Sequence, residues 1–196
     1  MKTEDQFNPL DKNNLGKSVA DALLERDTLP FEDVEQFTGA GIYAIYYFGN
    51  FEPYTQIAAS KVPIYVGKAV PPGARKGAFG LDSNPGIALY KRLKEHAESI
   101  KQAENIEISD FQCRYLVVDD IWIPLGESLL IAMFSPIWNK LIDGFGNHDP
   151  GRGRYQQLRS RWDTIHPGRS WANKCQTRQE TAEQIFRELS AYLGSQ

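Results

Sequence analysis

Cysteine is nearly absent from this chain. Cys113 and Cys175 are the only two in 196 residues, too few for a disulfide framework and without the short-spaced partners that a structural zinc site needs. Long apolar runs are missing too, since none approaches the roughly 18 to 20 residues required to span a bilayer. The opening Met1-Lys2-Thr3-Glu4-Asp5-Gln6 has no apolar stretch of the secretory kind. The expectation is therefore a reduced, cytoplasmic protein with no membrane partner. Internal repeats and low-complexity tracts are also lacking, so the length fits one domain with its own core, or a compact domain with appendages.

A strong net charge is the last absence, and the total conceals its distribution. The value of −3 argues weakly against a polyanionic partner until the charges are placed along the chain. Residues 1–40 carry four basic and nine acidic side chains. By contrast, 61–102 carry eight basic against three acidic, and 151–178 carry seven basic against Asp163 alone. Screening acts over about 8–10 Å, so a distant acidic segment does not cancel a basic one. The two basic segments can form a phosphate-binding face, with solvated helix surfaces as the plainer alternative.

Hydrophobic patterning gives the order of elements. Residues 1–37 read as a polar arm with one short helix near 18–26, where Val19, Leu23 and Leu24 make a thin apolar face. Residues 42–48 and 62–66 have the β-branched and aromatic content of strands, and the Gly-, Asn- and Pro-bearing stretch 49–60 between them reads as a loop. Residues 69–86 are rich in Gly and Pro, with Arg75 and Lys76 at the centre, and read as a long basic loop. A helix is predicted over about 86–103, a third strand over 111–118, and a helix entered at Pro124 and closed before Pro136. A Gly-rich segment follows at 143–153, then a basic helix-like stretch at 155–162 and an amphipathic helix at 177–193. The sum is α+β: a small three-stranded antiparallel sheet flanked by helices. A core at 38–140, with the loop insertion at 69–86, lies between the N-terminal arm and a basic C-terminal extension at 141–196, together one compact domain.

A few residues in these elements could carry chemistry. Glu127 shares a helical face with Leu130, Ile131 and Phe134. A carboxylate there costs several kcal/mol unless it is paired, hydrogen-bonded or bound to metal, although a stripe-edge Glu favoured by a helix N-terminus gives the same pattern. A lone carboxylate suits Mg²⁺, which keeps most of its waters. Arg92 and His96 lie one turn apart beside Leu89, so their side chains can reach a common point. The guanidinium fork fits a phosphate, and an imidazole of ordinary pKa titrates near neutrality; a solvated surface pair is the alternative. Tyr43 and Tyr65 by themselves read as core aromatics. Lys68 closes Tyr65-Val66-Gly67-Lys68, which is not a phosphate-binding P-loop, because Val62 and Ala69 stand where Gly and Ser or Thr are needed. In the tail, Arg152, Arg154, Arg159, Arg161 and Arg169 alternate with glycines and aromatics, a composition suited to phosphates or guanine edges and equally to a basic surface tail. His148 and His166 read as loop residues without a partner at metal-like spacing.

The order Gly41-Ile42-Tyr43, Tyr65-Val66-Gly67, Arg92 with His96, Glu127 and then Asn139 resembles the GIY-YIG nuclease superfamily, with Val66 in place of the second motif's Ile. Without an appended DNA-binding module, and with basic segments inside and after the core, the chain looks most like the type II restriction endonucleases of that superfamily. The resemblance implies Mg²⁺-dependent hydrolysis of double-stranded DNA, with Mn²⁺ able to substitute. It implies Glu127 as metal ligand, Arg92 on the phosphate, Tyr43 as general base with Lys68 or His96 assisting, Tyr65 positioning the phosphate and Asn139 holding the site. It further implies a homodimer cutting a G·C-rich palindrome such as CCGCGG. A structure-specific repair or recombination nuclease, and a DNA-binding protein that has lost catalysis, are the alternatives.

Overall fold

A computed structural model of the protein describes residues 8, 10–71 and 84–194. Arg75 and Lys76 lie outside the described residues. Four strands form one antiparallel sheet: β1 (Leu29–Pro30), β2 (Gly41–Tyr47), β3 (Tyr65–Ala69) and β4 (Phe111–Val117), in the order β1-β4-β2-β3. The expected third strand is thus joined by a fourth, a two-residue edge too short to leave a periodic signal. The second motif strand also starts later than its composition predicts. Val62, Pro63 and Ile64 precede it, Ile64 N–H donates to Ile45, and the ladder proper begins at Tyr65. The 49–60 loop contains a short helix, α2 (Thr55–Ala59).

Central strand β2 is buried along its whole length, so its two faces carry two cores. Tyr43, Ile45 and Tyr47 face one core, with Leu89, Leu93, Ala97 and Ile100 of α3 (Ala88–Lys101). Ile42, Ala44 and Tyr46 face the other, with Ala20 and Leu23 of α1 (Lys12–Leu24) and Ile123 and Leu130 of α4 (Ile123–Phe134). The α1 helix is longer than expected and starts at an Asp11 cap. It packs on α4, with Gly16 against Leu125.

After α4 come α5 (Ile137–Lys140), α6 (Arg161–Ile165) and α7 (Ala182–Gly194). Residues 155–160 are not helical, contrary to the basic-stretch reading; Ser160 caps α6 by accepting from the Asp163 amide. The last helix also begins later than periodicity predicts. Thr181 and Gln184 exchange backbone-to-side-chain hydrogen bonds in a capping box. Trp162, Ile165, Ile185 and Leu189 join Tyr43 and α3 in the first core, so the C-terminal extension is built into the interior. Among the described residues, no helix is long and apolar enough to cross a membrane.

Candidate active site at the edge of the sheet

β3 is the outer strand on its side of the sheet, and the candidate residues gather around it. Tyr43 of β2 faces Gly67 of β3 across the ladder. A Cβ on Gly67 would stand 2.4 Å from the Tyr43 hydroxyl, so only glycine lets the phenol cross its neighbour. Tyr65 lies two residues earlier on the same face, its ring 6.2 Å from that of Tyr43. The outer edge of β3 would leave Val66 unpaired; instead Asn139 accepts from its N–H and donates to its carbonyl, both at 2.8 Å. Asn139 thereby stands in for a further strand and fixes the strand bearing Tyr65 and Lys68.

Arg92 and His96 come in from α3. The Tyr43 hydroxyl meets His96 Nε2 at 2.6 Å, and both residues are almost wholly buried. The imidazole stacks on Phe145 at 4.4 Å and takes the edge of Tyr65 at 5.2 Å. Burial pushes the Tyr43 phenol well above its ordinary pKa; Tyr65 adds to the rise and Arg92 opposes it. Burial likewise drives His96 well below its ordinary value, helped by Arg92, His148 and Arg169. The expected near-neutral titration of His96 is therefore corrected. Its burial keeps it neutral, and among the described residues the cation beside the Tyr43 phenol, Arg92, does not offset the burial that raises it. Tyr65 is also raised, chiefly by burial, with Arg92 opposing and Glu127 contributing to the rise. Arg92, both phenols and Glu127 thus share one electrostatic neighbourhood.

Lys68 and Glu127 meet on the opposite face of β3, Nζ to Oε2 at 2.6 Å, with the Glu127 side chain 18% exposed. Glu127 is the fifth residue of α4, past the first turn, so a helix-terminus role does not account for it. Lys68 is engaged by this carboxylate and is not the partner of Tyr43. Among the described residues, no group of three or more His, Cys, Asp or Glu side chains could hold a metal ion. A divalent cation here would have the single Glu127 carboxylate, with water and substrate oxygens for the rest. That donor set fits Mg²⁺ and does not fit a closed zinc site.

Two tail assignments change. Arg169, expected on DNA, is 2% exposed and forms an ion pair with buried Asp163 at 2.6 Å. Arg161 is tied to Glu180, Glu188 and the Leu141 carbonyl. Arg159 is half-buried and donates to the Ala172 carbonyl, whereas Arg152 and Arg154 are exposed. Both loop histidines also have partners. His166 is fully buried between the Tyr54 hydroxyl at 2.6 Å and Asn105 Oδ1 at 2.8 Å. His148 reaches Arg92 Nη1 at 2.5 Å; a separation of 56 residues, with no periodic link, hid this from the sequence.

The Eco29kI GIY-YIG domain family matches residues 35–193 of the chain. That span includes every residue of the β3-edge cluster and also the C-terminal extension. No curated protein matches the chain.

Proposed function

The chain belongs to the Eco29kI GIY-YIG domain family, a family of GIY-YIG restriction endonucleases, and on that premise we propose a Mg²⁺-dependent type II enzyme that hydrolyses double-stranded DNA at a specific palindrome. A G·C-rich target such as CCGCGG, and a homodimer with one half-site per subunit, complete the proposal. The observation that carries it is the buried contact of Tyr43 with His96 beside the Arg92 guanidinium.

Each residue's role follows from its surroundings. A phenol and an imidazole that are both held neutral can pass a proton without either first ionising. As the attacking water gives its proton to the Tyr43 oxygen, the hydroxyl proton shifts along the 2.6 Å contact to His96 Nε2. The imidazolium so formed, which burial disfavours in the resting site, is matched by the negative charge that the phosphoryl oxygens gain. Arg92 supplies fixed positive charge where the phosphoryl oxygens gain negative charge. Tyr65 orients the phosphate, and Asn139 keeps β3 in place. Glu127 would hold Mg²⁺, or Mn²⁺ in its stead, whose chemistry when bound is Lewis-acid stabilisation of the leaving oxygen. Lys68, now on Glu127, neutralises this carboxylate before metal arrives. Exposed Arg152 and Arg154, with Arg75 and Lys76, are the candidate DNA contacts.

Digestion of a plasmid of known sequence with Mg²⁺, followed by sequencing of the ends, tests this reading. Cuts at one palindrome, symmetric on the two strands, are expected. Glu127→Gln should bind DNA, since phosphate contacts supply most affinity, yet leave the plasmid intact. Cleavage confined to branched DNA would replace the restriction reading with a structure-specific one. Cleavage by Glu127→Gln at more than about a few per cent of wild type, against the loss of the several kcal/mol of transition-state stabilisation that a bound metal supplies, would remove Glu127 as ligand.

A further inference from the structure

The segment from Gly144 to His148 runs past α3 and is anchored from behind. Arg169 donates to the carbonyls of Gly144 at 2.9 Å, Phe145 at 3.1 Å and Asn147 at 3.0 Å. Its Nε donates to Asp163, and its guanidinium carbon lies over the rings of Trp162 and Trp171, 4.4 and 4.8 Å from the ring centres. A guanidinium engaged on its edges and set over two indole rings is a fixed point in the fold. The loop it fixes turns two acceptors toward Arg92. The Gly146 carbonyl accepts from Nη2 at 3.1 Å, and His148 Nε2 accepts from Nη1 at 2.5 Å. The approach is so close that a Cβ on Gly146 would lie 2.8 Å from Arg92 Nη2.

We propose that His148, seated by the Arg169-anchored loop, is a positioning residue that aims the Arg92 guanidinium at the scissile phosphate. The proposal rests on the reading of Arg92 as the phosphate-contacting charge. Glu95 of α3 also accepts from Nη1 at 3.2 Å, so His148, Glu95 and the Gly146 carbonyl share Nη1 and Nη2. The other neighbours of the guanidinium are Tyr43 and Tyr65, where a phosphate would lie. The acceptor must be neutral. Glu95 Oε2 stands 3.2 Å from the same His148 nitrogen, so a protonated His148 donates to Glu95 and gives up Arg92. Partial burial opposes that protonation most, Glu95 favours it, and Arg92 and Lys91 of α3 together with Arg169 oppose it; Lys94 and Asp149 line the same cleft. The wild-type rate should therefore fall only on the acid side of the ordinary histidine range.

Single-turnover cleavage of a DNA fragment bearing the mapped cut site tests this, with wild type, His148→Ala, His148→Gln and Arg92→Ala. His148→Ala should cleave about tenfold more slowly, the size of one lost hydrogen bond to a charged group, with DNA affinity within about twofold of wild type. His148→Gln keeps a neutral acceptor, so it should recover most of the rate and lose the acid-side decline. Wild-type speed in His148→Ala overturns the proposal. So does a rate in His148→Gln no better than in alanine, or a loss that falls on affinity instead of turnover. If Arg92→Ala itself stays active, the functional reading of Arg92 fails and the role of His148 falls with it, whereas an impaired Arg92→Ala beside a wild-type rate in His148→Ala overturns the role of His148 alone.

Discussion

The Tyr43 hydroxyl and His96 Nε2 lie 2.6 Å apart in the interior, and burial keeps both groups uncharged. This pair replaces the simpler picture of a phenol acidified by a neighbouring cation. The nearest lysine of the motif, Lys68, spends its charge on Glu127 on the other face of β3. Proton movement between two neutral partners depends on hydrogen-bond geometry, and deleting either partner should be felt in stability as well as in rate.

Tyr43→Phe keeps the ring and removes one oxygen. The packing against Tyr65 is retained, but His96 Nε2 is left buried without its partner. Stability should fall by about 1–3 kcal/mol, the cost of an unsatisfied buried polar group, and cleavage should fall by roughly two orders of magnitude or more. Urea titration and single-turnover cleavage measure the two effects. Full stability with lost activity would show that the hydroxyl contributes to chemistry alone; full activity would assign Tyr43 to packing.

Local and non-local information were unequally legible. The apolar spacing of α3 placed Arg92 and His96 one turn apart on a buried face, because helical periodicity is a local property. Gly67 was visible as a motif letter, whereas its cause, the Tyr43 hydroxyl crossing the adjacent strand, appears only in the paired sheet. Strand β1 has two residues and no pattern to read. Arg169 looked like its exposed neighbours since arginine is written the same way on a surface or in a core. One signal did exist: Asp163 is the single acid among seven basic residues in 151–178, and an isolated acid in a basic segment is a candidate buried partner.

Stability should decline in mild acid, and the sign follows from the buried histidines. Burial, with Arg169 nearby, pushes His166 down to about 3. Unfolded, it would titrate near 6.5, so the unfolded chain binds the extra proton between those values. Stability is then complete above about pH 6.5 and is lost progressively as pH falls toward 3, by up to about 1.4 kcal/mol per pH unit. His96 acts in the same direction. Urea unfolding at about pH 7.5 and about pH 5 should differ by roughly 2 kcal/mol or more from these groups. His166→Gln should start less stable and show a shallower pH slope. A flat profile between the two conditions would mean that the imidazole is not buried neutral.

The tail arginines should separate into two behaviours. Arg152 and Arg154 are exposed and free to meet DNA, so Arg152→Ala and Arg154→Ala should leave thermal stability unchanged. If they clamp phosphates, binding weakens evenly across sequences and the salt slope drops by about one per charge; if they read bases, specificity relaxes at one position. Arg169 is different in kind. Arg169→Ala removes the counter-ion of Asp163, which is 3% exposed, and takes the guanidinium donors away from the carbonyls of Gly144, Phe145 and Asn147. Breaking a buried pair by removing one partner costs about 3–5 kcal/mol, so this variant should melt far lower or fail to fold. Arg169→Lys should recover only part of the loss, because an ammonium cannot reach a carboxylate and three carbonyls in one plane. Thermal melts and fluorescence-anisotropy binding on all four variants distinguish the cases. An Arg169→Ala protein of wild-type stability with weakened DNA binding would return Arg169 to the DNA-binding surface, and with it the reading of the extension as a basic tail.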